Sequence, residues 1–250
     1  MPCPEIYPAG DSAYVVEFGD TVDLRVNRIV LKFSSALANL GLDGLLEAIP
    51  TYRSLLVQFD PLILSGNEIV AVLRATLETL VSKGPQIRSR LWQVPTCYDP
   101  EFGVDLEFVA DTLGLSVNQV VSRHSNADYS VFMIGFAPGY AYLGGLPPEL
   151  SLPRRLNPRS RVEAGSIAIG GVQACILSNA APSGWHILGR TPLQAFQPER
   201  MPPCLFEPGD RVKYVPITRD EYDTYITNRE MGEDIGRNLL VENDQIRSEA

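Results

Sequence analysis

Histidine is scarce in this chain: His124 and His186 are the only two in 250 residues. So few imidazoles leave no basis for a histidine-rich metal site. The four cysteines, Cys3, Cys97, Cys175 and Cys204, are widely spaced and form no CxxC pair. That argues against a zinc site or a disulfide framework and predicts reduced thiols. No run of about 18 apolar residues occurs, so no membrane-spanning helix is expected. The start Met1-Pro2-Cys3-Pro4-Glu5 lacks the basic region and apolar centre of a signal peptide, which predicts a cytoplasmic protein. Basic residues are in deficit too, 21 against 30 acidic, for a formal net charge of −9. General nucleic-acid binding, which needs broad basic surface, is not expected. Two catalytic signatures are missing as well. There is no GxxxxGK[ST] phosphate loop and no GxSxG nucleophile elbow, which argues against a self-contained P-loop and against a serine-hydrolase mechanism.

What is present is an ordinary globular composition, 45% hydrophobic and 20% charged, in a chain long enough for one large domain or two small ones. Residues 12–18 read as a strand after a Gly10-Asp11 turn. Val22, Val26, Ile29, Phe33, Leu37 and Leu40 then repeat at helical spacing, ended by Gly41. Residues 45–49 and 54–59 read as two short strands. Ser65 with Glu68 forms a capping box and Leu64 with Ile69 a hydrophobic staple. They open a helix buried through Ile69, Leu73, Thr76 and Leu80 and stopped at Lys83-Gly84-Pro85. A further strand within 86–94 would complete a split βαβ sandwich of ferredoxin-like type. The expected fold class is α+β, with this small domain at residues 1–90.

A helical hairpin follows, one arm at 104–113 and the second opened by Ser116 with Gln119 and running to about His124. Residues 129–134 read as a strand. Short β segments at 166–169, 173–177, 185–188 and 211–215, separated by Gly and Pro, predict a closed or nearly closed barrel over 91–217. Residues 218–250 are read as a short helix capped by Thr218 and Glu221, then a polar, frayed tail beyond Met231.

The stretch 135–192 organises the rest. It is dense in glycine and carries Arg154, Arg155, Arg159, Arg161 and Arg190 against only Glu149 and Glu163, with no lysine. A local excess of guanidinium in an acidic chain points to an anionic ligand held by planar forks. Arg190 and at least one of Arg154 and Arg155 are the favoured anion ligands, with Arg159 and Arg161 as further candidates. Gly139, Gly165, Ser166 and Ser183 offer backbone N–H groups and hydroxyls to an anion. Tyr142, Tyr140, Phe136 and Trp185 could line a pocket, although Phe136 is the one most expected in the core. Gln173 suits an amide or lactam edge. His124, at a helix end before the strand that feeds the glycine-rich loop, is the candidate acid or base, and Arg190 the candidate catalytic cation. The competing reading of His124 is a helix-end histidine held by the macrodipole. His186 reads as structural, and Cys175 as a small buried hydrophobe.

Several segments together resemble a known family: IYPAGDSAYVVEFG at 6–19, EAIPTYRSLLVQFDP at 47–61, RHSNADYSVFMIGFAPGYAYLGGLP at 123–147, LPRRLNPRSRVEAGSIAIGG at 152–171, SGWHILGRTP at 183–192 and FEPGDRVKYVPIT at 206–218. In this order and spacing they are similar to the KipI / allophanate hydrolase subunit 1 family, which includes the B component of the bacterial ATP-dependent 5-oxoprolinase. The resemblance implies a cyclophilin-like barrel after the N-terminal domain. It also implies a larger partner of the KipA / allophanate hydrolase subunit 2 type, the C component of that enzyme, and a further A component. Implied too are 5-oxoproline as the small anionic substrate and ATP as co-substrate with Mg at a composite site. Two alternatives stand beside it: one half of an allophanate hydrolase or urea carboxylase-type carboxyltransferase, and a KipI-like inhibitor of a sensor histidine kinase.

Overall fold

The computed structural model describes residues 4–83 and 88–245. Cys3 and the expected stop at Gly84-Pro85 lie outside the described residues. The chain divides into two compact units, one running up to Arg88 and the other spanning Ser89–Asp244.

The first unit runs β1 (Glu5–Pro8), β2 (Ala13–Glu17), α1 (Leu24–Ala38), β3 (Leu45–Pro50), β4 (Ser54–Phe59) and α2 (Gly66–Lys83). Its strands form one antiparallel sheet in the order β1-β2-β4-β3. Alternation along β4 turns Leu55, Val57 and Phe59 to one face. There they meet Val30, Phe33 and Leu37 of α1 and Ile69 and Leu73 of α2. Each such side chain contributes about 1.5–3 kcal/mol by leaving water. Asp23 caps α1 by accepting from the Arg25 and Val26 N–H groups at 2.7 and 3.4 Å. Ser65 and Glu68 form the expected reciprocal box at the start of α2, at 2.8 and 3.3 Å.

Two details differ from the sequence reading. Val22 and Leu40 lie outside α1 and are exposed. Asn27 takes a buried place on the helix instead, because its amide donates to the Thr51 carbonyl at 2.9 Å. The strand expected within 86–94 belongs to the other unit. Its place in the sheet is filled by β1, which reaches β2 through a tight turn with Gly10 at φ +77. A short local hairpin loses less entropy on closing than a return of the chain after α2.

The second unit contains β5 (Arg88–Cys97), α3 (Leu106–Leu113), α4 (Val117–Asn126), β6 (Tyr129–Ile134), β7 (Ala141–Gly144), β8 (Arg159–Val162), β9 (Ser166–Gly170), β10 (Gln173–Ile176), β11 (Ala181–Ser183), β12 (His186–Arg190), β13 (Arg211–Ile217), α5 (Arg219–Glu230) and β14 (Leu240–Gln245). Strands β12-β9-β10-β7-β6-β13-β5 follow one another, and a β5–β12 pairing at Cys97 and Arg190 closes them into the expected barrel. All its pairings are antiparallel except β5 with β13, which run parallel. Ile167, Ile169, Ala174, Ile176, Leu143 and Leu188 fill the barrel, and Leu106, Val109 and Val120 of the helical hairpin pack against them. Within the described residues, up to Gln245, the segment after Met231 is not the frayed tail that was expected. It continues as a 3-10 turn, Ile235–Leu239, and then β14, which extends the sheet beside β5. Ile235 is buried against the barrel core. Among the described residues no helix is long and apolar enough to cross a membrane.

Candidate functional site

Alternation that sends Ala141, Leu143, Ala174, Ile176, Ile167 and Ile169 into the barrel must send their neighbours out. Tyr142, Cys175 and Ala168 accordingly share a second apolar cluster with Tyr140, Val162, Leu177, Trp185 and Ile187 on the outer face. An aromatic row crosses this face. Tyr140 and Tyr142 have ring centroids 4.7 Å apart, Tyr142 and Trp185 6.1 Å. Arg154 ends the row with its guanidinium carbon 4.9 Å from the Trp185 ring centroid. Gly170 makes this possible. A Cβ there would stand 3.0 Å from Trp185 and 3.3 Å from the Arg154 stem. The cross-strand partner of Gly170 is Gln173, half-buried and on the same outward face as Cys175. Neither the Arg154 guanidinium nor the Gln173 amide has an ion pair or side-chain hydrogen bond among the described residues.

The glycine-rich turn borders this row. Gly139, at φ +72, packs so closely that a Cβ would lie 2.8 Å from the Ala195 carbonyl oxygen. Phe136, expected in the core, is instead 68% exposed and adopts φ +70. The turn closed by Tyr140 N–H to the Ala137 carbonyl at 3.1 Å rolls its ring outward. There it meets Tyr140 edge-on at 5.5 Å. A non-glycine residue in this region costs of order 1–3 kcal/mol, a strain that clusters at functional sites.

The five arginines do not form one patch. Arg155 and Arg159 both bind Asp105, at 2.7 Å, and the Ile187 N–H donates to the same carboxylate at 2.8 Å. These two are occupied in pinning the segment before β8 to α3 and β12. Both are engaged by this buried carboxylate, where the sequence reading expected them to be free for an anionic ligand. Asp105 is not singled out by the sequence reading; an acid between Val104 and Leu106 in an otherwise apolar stretch is the one signal that could have found it. Arg161 pairs with Glu163 at 2.7 Å on the surface. Arg190 lies elsewhere, over Phe102 at 4.8 Å. Gly165 and Ser166 flank its segment: Ser166 is its strand partner, and Gly165 accepts the Thr191 N–H at 2.9 Å. Ser183 turns inward to accept the Trp185 N–H at 3.2 Å, so it positions the tryptophan.

His124 is not the acid or base that its place in the sequence suggests. Its ring is fully buried, stacked on Tyr214 at 4.5 Å, with Nδ1 2.8 Å from the Tyr98 hydroxyl. Burial pushes its pKa down to about 3, so it is a neutral core group at neutral pH. His186 is structural: Nε2 lies 2.9 Å from the Pro153 carbonyl, and the ring stacks on Phe108. Cys175 is buried and accepts the Tyr140 hydroxyl at 3.0 Å. Burial pushes its thiol up to about 12, so it is no nucleophile.

Comparison with known proteins supplies a frame for this geometry. Residues 4–206 match the family model described as the carboxyltransferase domain, subdomain C and D. The 5-oxoprolinase B component of Bacillus subtilis (strain 168) is 36% identical over 231 residues, covering 88% of this chain and 96% of that protein. The 5-oxoprolinase B component of Escherichia coli O157:H7 is 37% identical over 211 residues, covering 84% and 94%. Among solved structures, TTHA0988 superposes with a TM-score of 0.73 at 36% identity. The superposition covers 82% of this chain but only 40% of that one, so the chain spans about half of that structure's length.

Proposed function

The chain belongs to the carboxyltransferase-domain family, subdomains C and D, and from that premise we propose that it is a component of a 5-oxoprolinase. It would act with a larger partner of the KipA / allophanate hydrolase subunit 2 type, and with a third component, in the ATP-dependent opening of 5-oxoproline to glutamate. One observation carries the choice of substrate. Arg154 and Gln173, both without an ion pair or side-chain hydrogen bond, flank Trp185 across Gly170. A small lactam acid has three features to recognise, and this face offers a complement for each. The planar guanidinium takes a carboxylate in bidentate fashion. A primary amide presents one donor and one acceptor to the N–H and C=O edge of a lactam. The half-buried ring of Tyr142 offers a face to a small ring, with the buried Trp185 packed behind it.

ATP would supply the phosphoryl group that activates the lactam oxygen. The residues present do not make a nucleotide site unaided. The chain has no P-loop, and among the described residues no three His, Cys, Asp or Glu side chains gather as a metal site. Nucleotide and Mg would therefore be shared with the partner.

The test is reconstitution with the partner proteins and an assay for ATP-dependent formation of glutamate from 5-oxoproline. Arg154→Gln is expected to raise KM for 5-oxoproline about tenfold or more. A complex with no turnover, or an Arg154→Gln complex with unchanged KM, would remove this reading. A complex that instead turns over a urea-derived substrate would favour the carboxyltransferase alternative.

A further inference from the structure

A second group of cations lies away from the aromatic row. Arg190 of β12, Arg219 at the first residue of α5 and Arg229 in its last turn gather around Phe102 and Tyr222. The guanidinium carbons of Arg190 and Arg219 lie 4.8 and 4.6 Å from the Phe102 centroid. The Phe102 and Tyr222 rings are 4.6 Å apart, and both are buried. Arg229 donates to the Pro192 carbonyl at 3.0 Å, two residues beyond Arg190. Burial pushes the Tyr222 phenol up, while the charges of Arg190 and Arg229 both pull it back, so both cations act on that hydroxyl.

The three arginines are not equally satisfied. Arg219 is neutralised by Glu101 and Asp223. Arg190 and Arg229 have no ion pair among the described residues. The Arg190 Nε is shut off from solvent and has no acceptor. Glu163, the carboxylate whose titration feels Arg190, is hydrogen-bonded by Arg161. In a chain with 30 acidic residues, two half-sequestered cations left without counter-charge are unfavourable unless an anion joins them.

We propose that Arg190, Arg229 and the Tyr222 hydroxyl form a second anion site that takes a phosphate group. Two separate cations and a phenolic donor complement a dianion with several oxygens better than a monocarboxylate, which one planar fork already satisfies. The site stands on its own geometry. Only its assignment to the phosphoryl end of ATP rests on the function proposed above.

The probe is inorganic phosphate, titrated calorimetrically into the full chain. Saturable binding is expected, weakened about tenfold or more by Arg190→Gln and by Arg229→Gln, and unchanged within about twofold by Arg219→Gln and Arg154→Gln. Circular dichroism checks that each variant folds. Should Arg190→Gln not fold, Arg190→Lys, which keeps the charge and loses the fork, is expected to weaken binding by a smaller factor. Absence of saturable binding, equal weakening in all four Gln variants, or wild-type affinity in Arg190→Gln or Arg190→Lys would overturn the site. In the reconstituted complex, Arg190→Gln is expected to raise KM for ATP about tenfold and leave KM for 5-oxoproline within about twofold. An unchanged KM for ATP would overturn the phosphoryl assignment while leaving the Arg154 result to stand or fall alone.

Discussion

Asp105 and Arg159 meet fork to fork, Nη1 donating to Oδ2 and Nη2 to Oδ1, each at 2.7 Å. The carboxylate side chain is only 3% exposed and also holds Arg155, the residue next to Arg154. The pair therefore constrains where Arg154, the proposed substrate-binding arginine, can lie. Asp105→Asn leaves two guanidinium groups half-buried without their counter-charge, and is expected to cost about 3–5 kcal/mol in urea unfolding. Burial pushes the Asp105 carboxyl up, but Arg159, the Ile187 N–H and Arg155 together hold it below its ordinary value. Its stabilisation is thus complete above the ordinary carboxylate range and is lost as pH falls through the lowered folded value. The gap between wild type and Asp105→Asn should close in acid. A gap that is constant down to about pH 2 would contradict the pairing.

Arg154 and Trp185 invite a substitution that separates charge from shape. Arg154→Lys keeps the cation but loses the planar fork and its stacking on the indole, whose ring centroid lies 4.9 Å from the guanidinium carbon. In the assembled complex KM for 5-oxoproline is expected to rise about 5- to 20-fold with kcat within about twofold, the pattern of lost uniform binding. Equal falls in kcat and kcat/KM would instead place Arg154 in the transition state.

Much of this architecture is legible in the sequence, and the remainder has identifiable physical causes. Residues 54–59 and 129–134 are strands at the bounds their alternation predicts, and the boxes at Ser65, Ser116 and Thr218 each open a helix. Strands β7, β8 and β11 are three or four residues long, beside glycine and proline. The pairing of β7 is decided by barrel closure rather than by local propensity, and β8 and β11 pair with each other in a separate antiparallel ribbon. The arginine-rich stretch marks the right region but cannot be resolved further from sequence, because Asp105, remote along the chain, claims two of the five. That Gln173 lies across Gly170 from Trp185 emerges only through the register of Gly170 with Gln173. His124 misleads because a helix-end position suggests access, while Tyr98, Tyr129 and Tyr214 enclose it.

That enclosure gives His124 a pH signature. Its folded pKa is near 3 against an ordinary value of 6.5. Above 6.5 the imidazole is neutral in both states and contributes no pH dependence. Below it the unfolded chain takes up a proton that the folded one refuses, removing about 1.4 kcal/mol per pH unit until the folded value is reached. The stability of His124→Phe should therefore fall less steeply between about pH 6 and 4 than that of wild type. In NMR the His124 ring carbons should not titrate between about pH 8 and 5. A midpoint in that range would show the ring to be open to solvent.

Gly165 ties the proposed phosphate site to the barrel. It sits at φ +78, and a Cβ there would stand 2.4 Å from the Thr191 carbonyl oxygen and 3.5 Å from the Arg190 side chain. A methyl group can be admitted only by moving the 190–192 segment, which carries Arg190 and the carbonyl that holds Arg229. Gly165→Ala is expected to lose about 2–4 kcal/mol of stability, from the left-handed backbone and the clash together. Phosphate affinity should fall in the fraction that folds. Gly171 is the control, at φ +62 with open space around its Cβ position, so Gly171→Ala should cost only about 1–2 kcal/mol and leave phosphate binding intact. Thermal melts with phosphate titrations compare the two directly. If Gly165→Ala melted with Gly171→Ala and bound phosphate equally well, the segment would tolerate the movement, and the close packing behind Arg190 would not be what sets the site.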